Sequence, residues 1–257
     1  LIIVCDLEAT CWTAEVDPEL RKNQDDECEI IEIGAVRVHP ETWHQLDSYE
    51  GFVQATLHPL SPFCTELTSI TQAMSDAGDA YPDAWAKFVA WIGVPLEEVT
   101  FISWSSFDQN QFRREARRHG LPEPAWTWVD AKRHYCDWRK WSLKDKGRWG
   151  LNRAVRMAGL DWVGRHHRGI DDAINIARLL HHIRDPRRSS PEAQLVLKLM
   201  GQRDPEPTHR GHMTPVEPLA RRWFDRARKE LVRAGAVVEL AGGAGLVLTD
   251  RGRASLD

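Results

Sequence analysis

Three short stretches carry the side chains that could do chemistry together. In DLEATC, residues 6–11, Asp6 and Glu8 stand two apart at the end of the apolar run that opens the chain. A strand puts alternate side chains on one face, so these two carboxylates point the same way. Carboxylates in apolar surroundings are costly to bury unless something positive joins them, and a divalent cation does so. In WSSFDQNQF, Asp108 follows an apolar strand and falls in the first turn of a helix. The helix dipole favours an anion there, with Ser105 or Ser106 as a cap. In HHRGIDDAINIA, Asp172 lies near the start of another helix and His167 precedes it by five residues, in a loop that Gly164 and Gly169 make adaptable. Each stretch alone has a plain structural explanation: a strand-end pair, a helix-start acid, a surface histidine. The order of the three is far more specific than any one of them.

The elements that must position these groups follow from hydrophobic patterning. Strands are expected over 1–8, 29–38, roughly 43–55, 98–104 and 126–130, the second and third joined by a short HPET turn that suggests an antiparallel pair. Residues 11–28 are polar and acidic and read as a long surface excursion. Short helices or turns are expected over 61–74, with Thr65 and Thr68 as cap candidates. Residues 81–93 carry Trp85, Phe88, Val89 and Ile92 at helical spacing and end at Gly93, and 105–120 closes at Gly120. Further helices are expected near 133–140 and 149–159, with a strongly amphipathic one over 168–183. Three strands followed by strands alternating with helices predict an α/β fold, a mixed five-stranded sheet flanked by helices in the ribonuclease H-like arrangement.

DPRRSSPEAQ, 185–194, reads as a linker, which divides the chain into 1–186 and 187–257. The second part offers a basic helix over 217–234 and two β-runs around AGGAG, a helix-plus-hairpin pattern like the end of a winged-helix module. Five scattered cysteines without a CxxC pair argue against a disulfide framework or a zinc site and suit a reducing cytosol. No run approaches ~20 apolar residues, so no membrane span is expected. The opening has no basic n-region or small-residue cleavage site, so no signal peptide is expected either. The chain starts on Leu rather than Met, consistent with natural residues preceding it. Net charge is -4 but unevenly spread: residues 1–100 hold 4 basic and 19 acidic side chains, and residues 101–170 hold 15 and 7. An acidic centre beside a cationic stretch suits metal ions and phosphates.

The order DxE, a distant Asp after a strand, then H-x-x-x-x-D opening a late helix resembles the DEDDh family of 3′–5′ exonucleases. DLEATCW, EIIEIGAV, FCTELTSIT and HHRGIDDAINIARLL are most similar to the branch containing the histone-mRNA 3′ exonuclease and the enhanced-RNAi exonuclease. The resemblance covers about residues 1–184, and departs at WSSFD, where the family more often has a Gly or Asn after the Trp. It implies a catalytic set of Asp6, Glu8, Asp108, Asp172 and His167, with two Mg²⁺ or Mn²⁺ ions held by the four carboxylates; hard oxygen ligands favour these metals over zinc. By the resemblance Asp6 bridges both ions, Glu8 and Asp172 hold the one that activates water, and Asp108 contributes through the second shell or bound water. His167, with an ordinary pKa near ~6.5, takes the water's proton. The resemblance implies that the products are nucleoside 5′-monophosphates, cut from single-stranded 3′ ends with RNA favoured. The backbone at Glu8, Ala9 and Thr10 is expected at the terminal sugar, and Trp12 and Leu67 against the last bases. Arg165, Arg168, Lys144, Lys146 and Arg148 are candidate phosphate contacts. A DNA exonuclease on the same scaffold and a silent nucleic-acid-binding protein remain alternatives. The C-terminal segment is a candidate contact for a duplex or a protein.

Overall fold

The computed structural model describes residues 1–40, 42–139, 150–183, 227–239 and 246–254. The chain divides into two compact units, Leu1–Leu179 and Leu180–Asp257. In the first, β1 (Ile2–Ala9), β2 (Ile30–Val38), β3 (Gln45–Phe52), β4 (Thr100–Ser103) and β5 (Thr127–Asp130) form one sheet in the order β3-β2-β1-β4-β5. The first three strands pair antiparallel, and β4 and β5 add in parallel to the other side of β1. This is the mixed sheet expected from the strand pattern, with every expected strand present.

The central position of β1 explains its composition. Ile3, Cys5 and Leu7 are buried with Phe88 of α5 (Tyr81–Ile92), Phe101 of β4, Phe112 of α6 (Phe107–Arg118) and Trp126. Phe101 and Trp126 stack at 4.0 Å, and Phe88 and Phe112 at 5.9 Å, so much of the aromatic content is core. Because side chains alternate along a strand, Asp6 and Glu8 face away from this cluster. The opposite face is met by α9 (Gly169–Ile183), whose Ala173, Ile176 and Leu179 are buried.

Between the strands lie α1 (Pro18–Lys22), α2 (Gln24–Glu27), α3 (Pro62–Thr68), α4 (Gln72–Asp76), α7 (Ala131–Arg139) and α8 (Leu151–Met157). The excursion after β1 is thus partly helical. The caps at 61–74 differ from expectation. Ser61 and Thr71 are the N-caps, both in extended conformation, and their hydroxyls accept the backbone N–H of Cys64 and Met74. Thr68 is instead the last residue of α3, its hydroxyl donating back to Cys64 O at 2.8 Å. At α6, Ser105 rather than Ser106 supplies a hydroxyl, accepting from Phe107 N at 3.3 Å.

In the second unit, residues 227–233 are helical, β6 (Val237–Glu239) and β7 (Leu246–Leu248) pair antiparallel, and a short helix covers Asp250–Ala254. Ala227, Leu231, Val237, Leu246 and Leu248 are buried. Residues 217–226 of the expected basic helix and the AGGAG segment lie outside the described residues. The expected domain boundary at 186/187 and its linker lie outside the described residues, as do Lys144, Lys146 and Arg148. Among the described residues, no helix is long and apolar enough to cross a membrane.

Candidate active site

The site forms where β1 outruns its neighbour. β4 pairs with β1 only through Ile2, Ile3 and Val4. Beyond that point the edge of β1 needs another partner, and Leu7 N donates to Asp108 Oδ1 at 3.0 Å. The first turn of α6 thereby takes over from the strand that precedes it, and a carboxylate 101 residues away is fixed beside Asp6. On the other edge, the β1–β2 register shifts between Glu8 and Ala9, a bulge of the kind that re-aims side chains beside active sites.

α9 is brought in by two glycines. A side chain on Gly34 would overlap the Gly169 carbonyl carbon and the Ile170 nitrogen, and a Cβ on Gly169 would lie 2.8 Å from Asp6 O. The helix start therefore lies against the backbone of β1 and β2. Glu32, fully buried and opposite Glu8 in the register, accepts Gly169 N at 3.1 Å and Arg168 Nε at 3.0 Å. These bonds set Glu32 against the start of α9, where the helix dipole favours negative charge.

One ligand atom each of Glu8, His167 and Asp172 lie within 4.8 Å of one another. Glu8, Asp108 and Asp172 are buried, and His167 is exposed. Burial, together with Asp108, Asp172, Glu8 and Glu32 around it, drives the Asp6 pKa well up, and Glu8 is raised in the same way. Burial also lifts Asp108 to about 6, against hydrogen bonds from Leu7, its own backbone and Ser103 that pull it down. Asp172 rises to about 7, from burial and then the charges of Asp171, Glu32 and Asp108, opposed by the His167 backbone N–H. Its Oδ1 is buried without a hydrogen-bond partner. An orphaned carboxylate oxygen amid acids that raise one another is what a bound cation relieves, so these residues fit divalent metal. The imidazole of His167 has its pKa lowered by burial of part of the ring.

The substrate-facing expectations fare differently. Leu67 is half-buried on α3, and Arg165 is exposed. Trp12 is only 3% exposed and packs with Ala9, Cys28 and Leu20, so its ring belongs to a small core and is not an open stacking surface. Thr10 is buried, its N–H donating to Glu29 O and its hydroxyl accepting from Glu29 N. Ala9 is buried where β1 ends. Arg168 is tied to Glu32 and, at 2.7 Å, to Glu50. Glu32 itself escaped the sequence reading. Its signal was an acid in the middle of the apolar run EIIEIGAV, which a buried strand does not tolerate without a partner.

The sequence profile of the Exonuclease family (RNase_T) matches residues 3–180, and the chain belongs to that family. Over 199 residues it is 31% identical to the 3′–5′ exonuclease Snipper of Drosophila melanogaster, spanning 70% of this chain and 67% of that protein. It is 32% identical over 202 residues to human ERI1 exoribonuclease 2, spanning 69% of this chain but 27% of that protein. Among solved structures, the nuclease domain of 3′hExo, a DEDDh family member, bound to rAMP superposes with a TM-score of 0.61 at 27% identity, over 71% of this chain and 90% of that one. A 3′-exonuclease recognising the histone mRNA stem-loop gives the same TM-score at 26% identity, over 71% and 62%.

Proposed function

We propose that this chain is a metal-dependent 3′–5′ exonuclease that removes nucleoside 5′-monophosphates from single-stranded 3′ ends, with RNA favoured over DNA. The observation that carries this reading is the convergence of Glu8, His167 and Asp172 within 4.8 Å, beside Asp6 and Asp108, around a carboxylate oxygen left without a partner. The preference for RNA draws on the exoribonuclease relatives. Two Mg²⁺ or Mn²⁺ ions held by Asp6, Glu8, Asp108 and Asp172 would neutralise the phosphodiester, acidify the attacking water and stabilise the departing 3′ oxygen.

The protein's own groups do the rest. His167, whose pKa partial burial lowers and so favours the unprotonated ring, accepts the proton of the attacking water at a ring nitrogen. Its exposure leaves it accessible from solvent. Asp108 keeps β1 in place through Leu7 N while contributing charge to the cluster. Leu67 faces the last bases, and Arg165 reaches the phosphates. The C-terminal unit contacts a duplex or a partner protein. The five free cysteines suit a reducing compartment such as the cytosol.

End-labelled RNA and DNA of matched sequence, incubated with Mg²⁺, Mn²⁺ or chelator, test this directly. Stepwise shortening from the 3′ end of RNA, abolished by chelator and by Asp6→Ala, is expected. Faster loss of DNA would reassign the substrate, and intact oligonucleotides under every metal would reduce the chain to a binding protein.

A further inference from the structure

His167 sits at φ 59°, in the left-handed region that residues with a Cβ avoid at a cost of about 1–2 kcal/mol. Such a conformation persists only where its surroundings over-determine it. The surroundings here come from one stripe of α9. Residues 171, 175 and 178 are spaced i, i+4, i+7 and share a helix face. Each reaches back to the loop that leads into His167.

Asp171 Oδ2 accepts Arg165 N at 2.8 Å. Asn175, fully buried, holds the Val163 residue from both sides: Nδ2 donates to Val163 O at 2.7 Å and Oδ1 accepts Val163 N at 3.2 Å. Arg178 donates to Asp161 O at 2.7 Å and to Asn175 Oδ1 at 2.9 Å, which also fixes the orientation of the Asn175 amide. Gly164, at φ 76°, lies so close to the Asp171 carboxylate that any side chain there would overlap it. Trp162 stacks on His166 with ring centroids 3.7 Å apart, immediately before His167. The loop is thus fastened to α9 at Asp161, Val163 and Arg165.

We propose that Asn175 and Arg178, with Asp171, are positioning residues that lock the His167 loop onto the helix carrying Asp172, so that the base and its neighbouring carboxylate move as one body. This rests on the reading of His167 as the base. Asn175 and Arg178 act on His167 through the loop backbone and are not among the groups of the acidic cluster. Misplacing a catalytic group by about 1 Å can cost on the order of 10²-fold in rate. The effect therefore belongs in kcat, with metal binding by Asp172 left intact.

The test uses the full chain, with Arg178→Ala, Arg178→Lys and Asn175→Asp, each also made in a His167→Ala background. Steady-state kcat and KM are read on a labelled RNA, and Mn²⁺ affinity is read by calorimetry without substrate. Expected losses in kcat are about tenfold for Arg178→Ala and about a hundredfold for Asn175→Asp, with KM and Mn²⁺ affinity within about twofold. Arg178→Lys, which keeps a donor for Asp161 O, recovers most of the rate. In the His167→Ala background none of the three substitutions slows the residual rate further, because the group they position is gone. Equal losses in both backgrounds, a parallel loss of Mn²⁺ affinity, or unchanged kcat would overturn the proposal. A His167→Ala protein with full activity would instead remove the base assignment itself, and the proposal with it.

Discussion

The acidic cluster should make the metal-free protein less stable than a variant that cannot work. Asp172 stands at about 7 against an ordinary value of 3.8. That displacement, roughly 3 units at about 1.4 kcal/mol each, corresponds to about 4 kcal/mol held against the ionised fold. The sign follows from proton linkage. A carboxyl whose folded pKa is raised lends stability in full below its unfolded pKa and loses it as pH rises through the folded one. For Asp172 the loss runs from about pH 4 to about pH 7, and between pH 5 and 8 it amounts to roughly 2–3 kcal/mol. Asp108, raised to about 6, pushes the same way. Asp172→Asn keeps an oxygen for the His167 N–H and removes the charge. Urea unfolding of the full chain, followed by tryptophan fluorescence in chelator at pH 5 and pH 8, reads the effect. Wild type should lose stability toward pH 8, and Asp172→Asn should exceed it there by roughly 2–4 kcal/mol, while failing to gain from added Mn²⁺. A wild-type curve flat across this range, or an Asn variant weaker than wild type at pH 8, would refute the reasoning.

Three further outcomes are expected. Mn²⁺ binding should release protons and weaken as pH falls below about 7, where Asp172 and then Asp108 hold protons, which calorimetry in buffers of different ionisation enthalpy measures. Gly34→Ala should drive the start of α9 away from β1 and β2, lowering Tm and Mn²⁺ affinity together, because its Cβ meets backbone that cannot rotate aside; unchanged metal binding would mean that the helix start is not held there. Trp12→Ala should cost about 3–5 kcal/mol of stability, as for other buried aromatics, with KM little changed in the protein that remains folded; raised KM at undiminished stability would restore Trp12 to the substrate.

Much of the architecture was legible because it depends on local pattern. The short apolar run that opens the chain and the helical spacing of Phe88 and Ile92 mark a buried strand and a helix face that meets the core, and a single chain stretch carries that information. Gly93 closed α5 with φ 73°, as a residue without Cβ at a helix end should. The caps were harder, since Thr68 and Thr71 are equally able to bond backbone, and only the path of the chain selects Thr71.

The sequence by itself determined which groups were available for chemistry: two acids on one strand face, an acid after a strand, and an acid with an imidazole at a helix start. Tertiary structure decided which side chains those groups could have as neighbours. Leu7 meets Asp108 across 101 positions, and Glu32 meets Gly169 across 137. No local periodicity records such pairings. Arg168 likewise meets Glu32 across 136 positions. Residue type fixes what a side chain is able to bind; the packing of remote segments fixes what reaches it first.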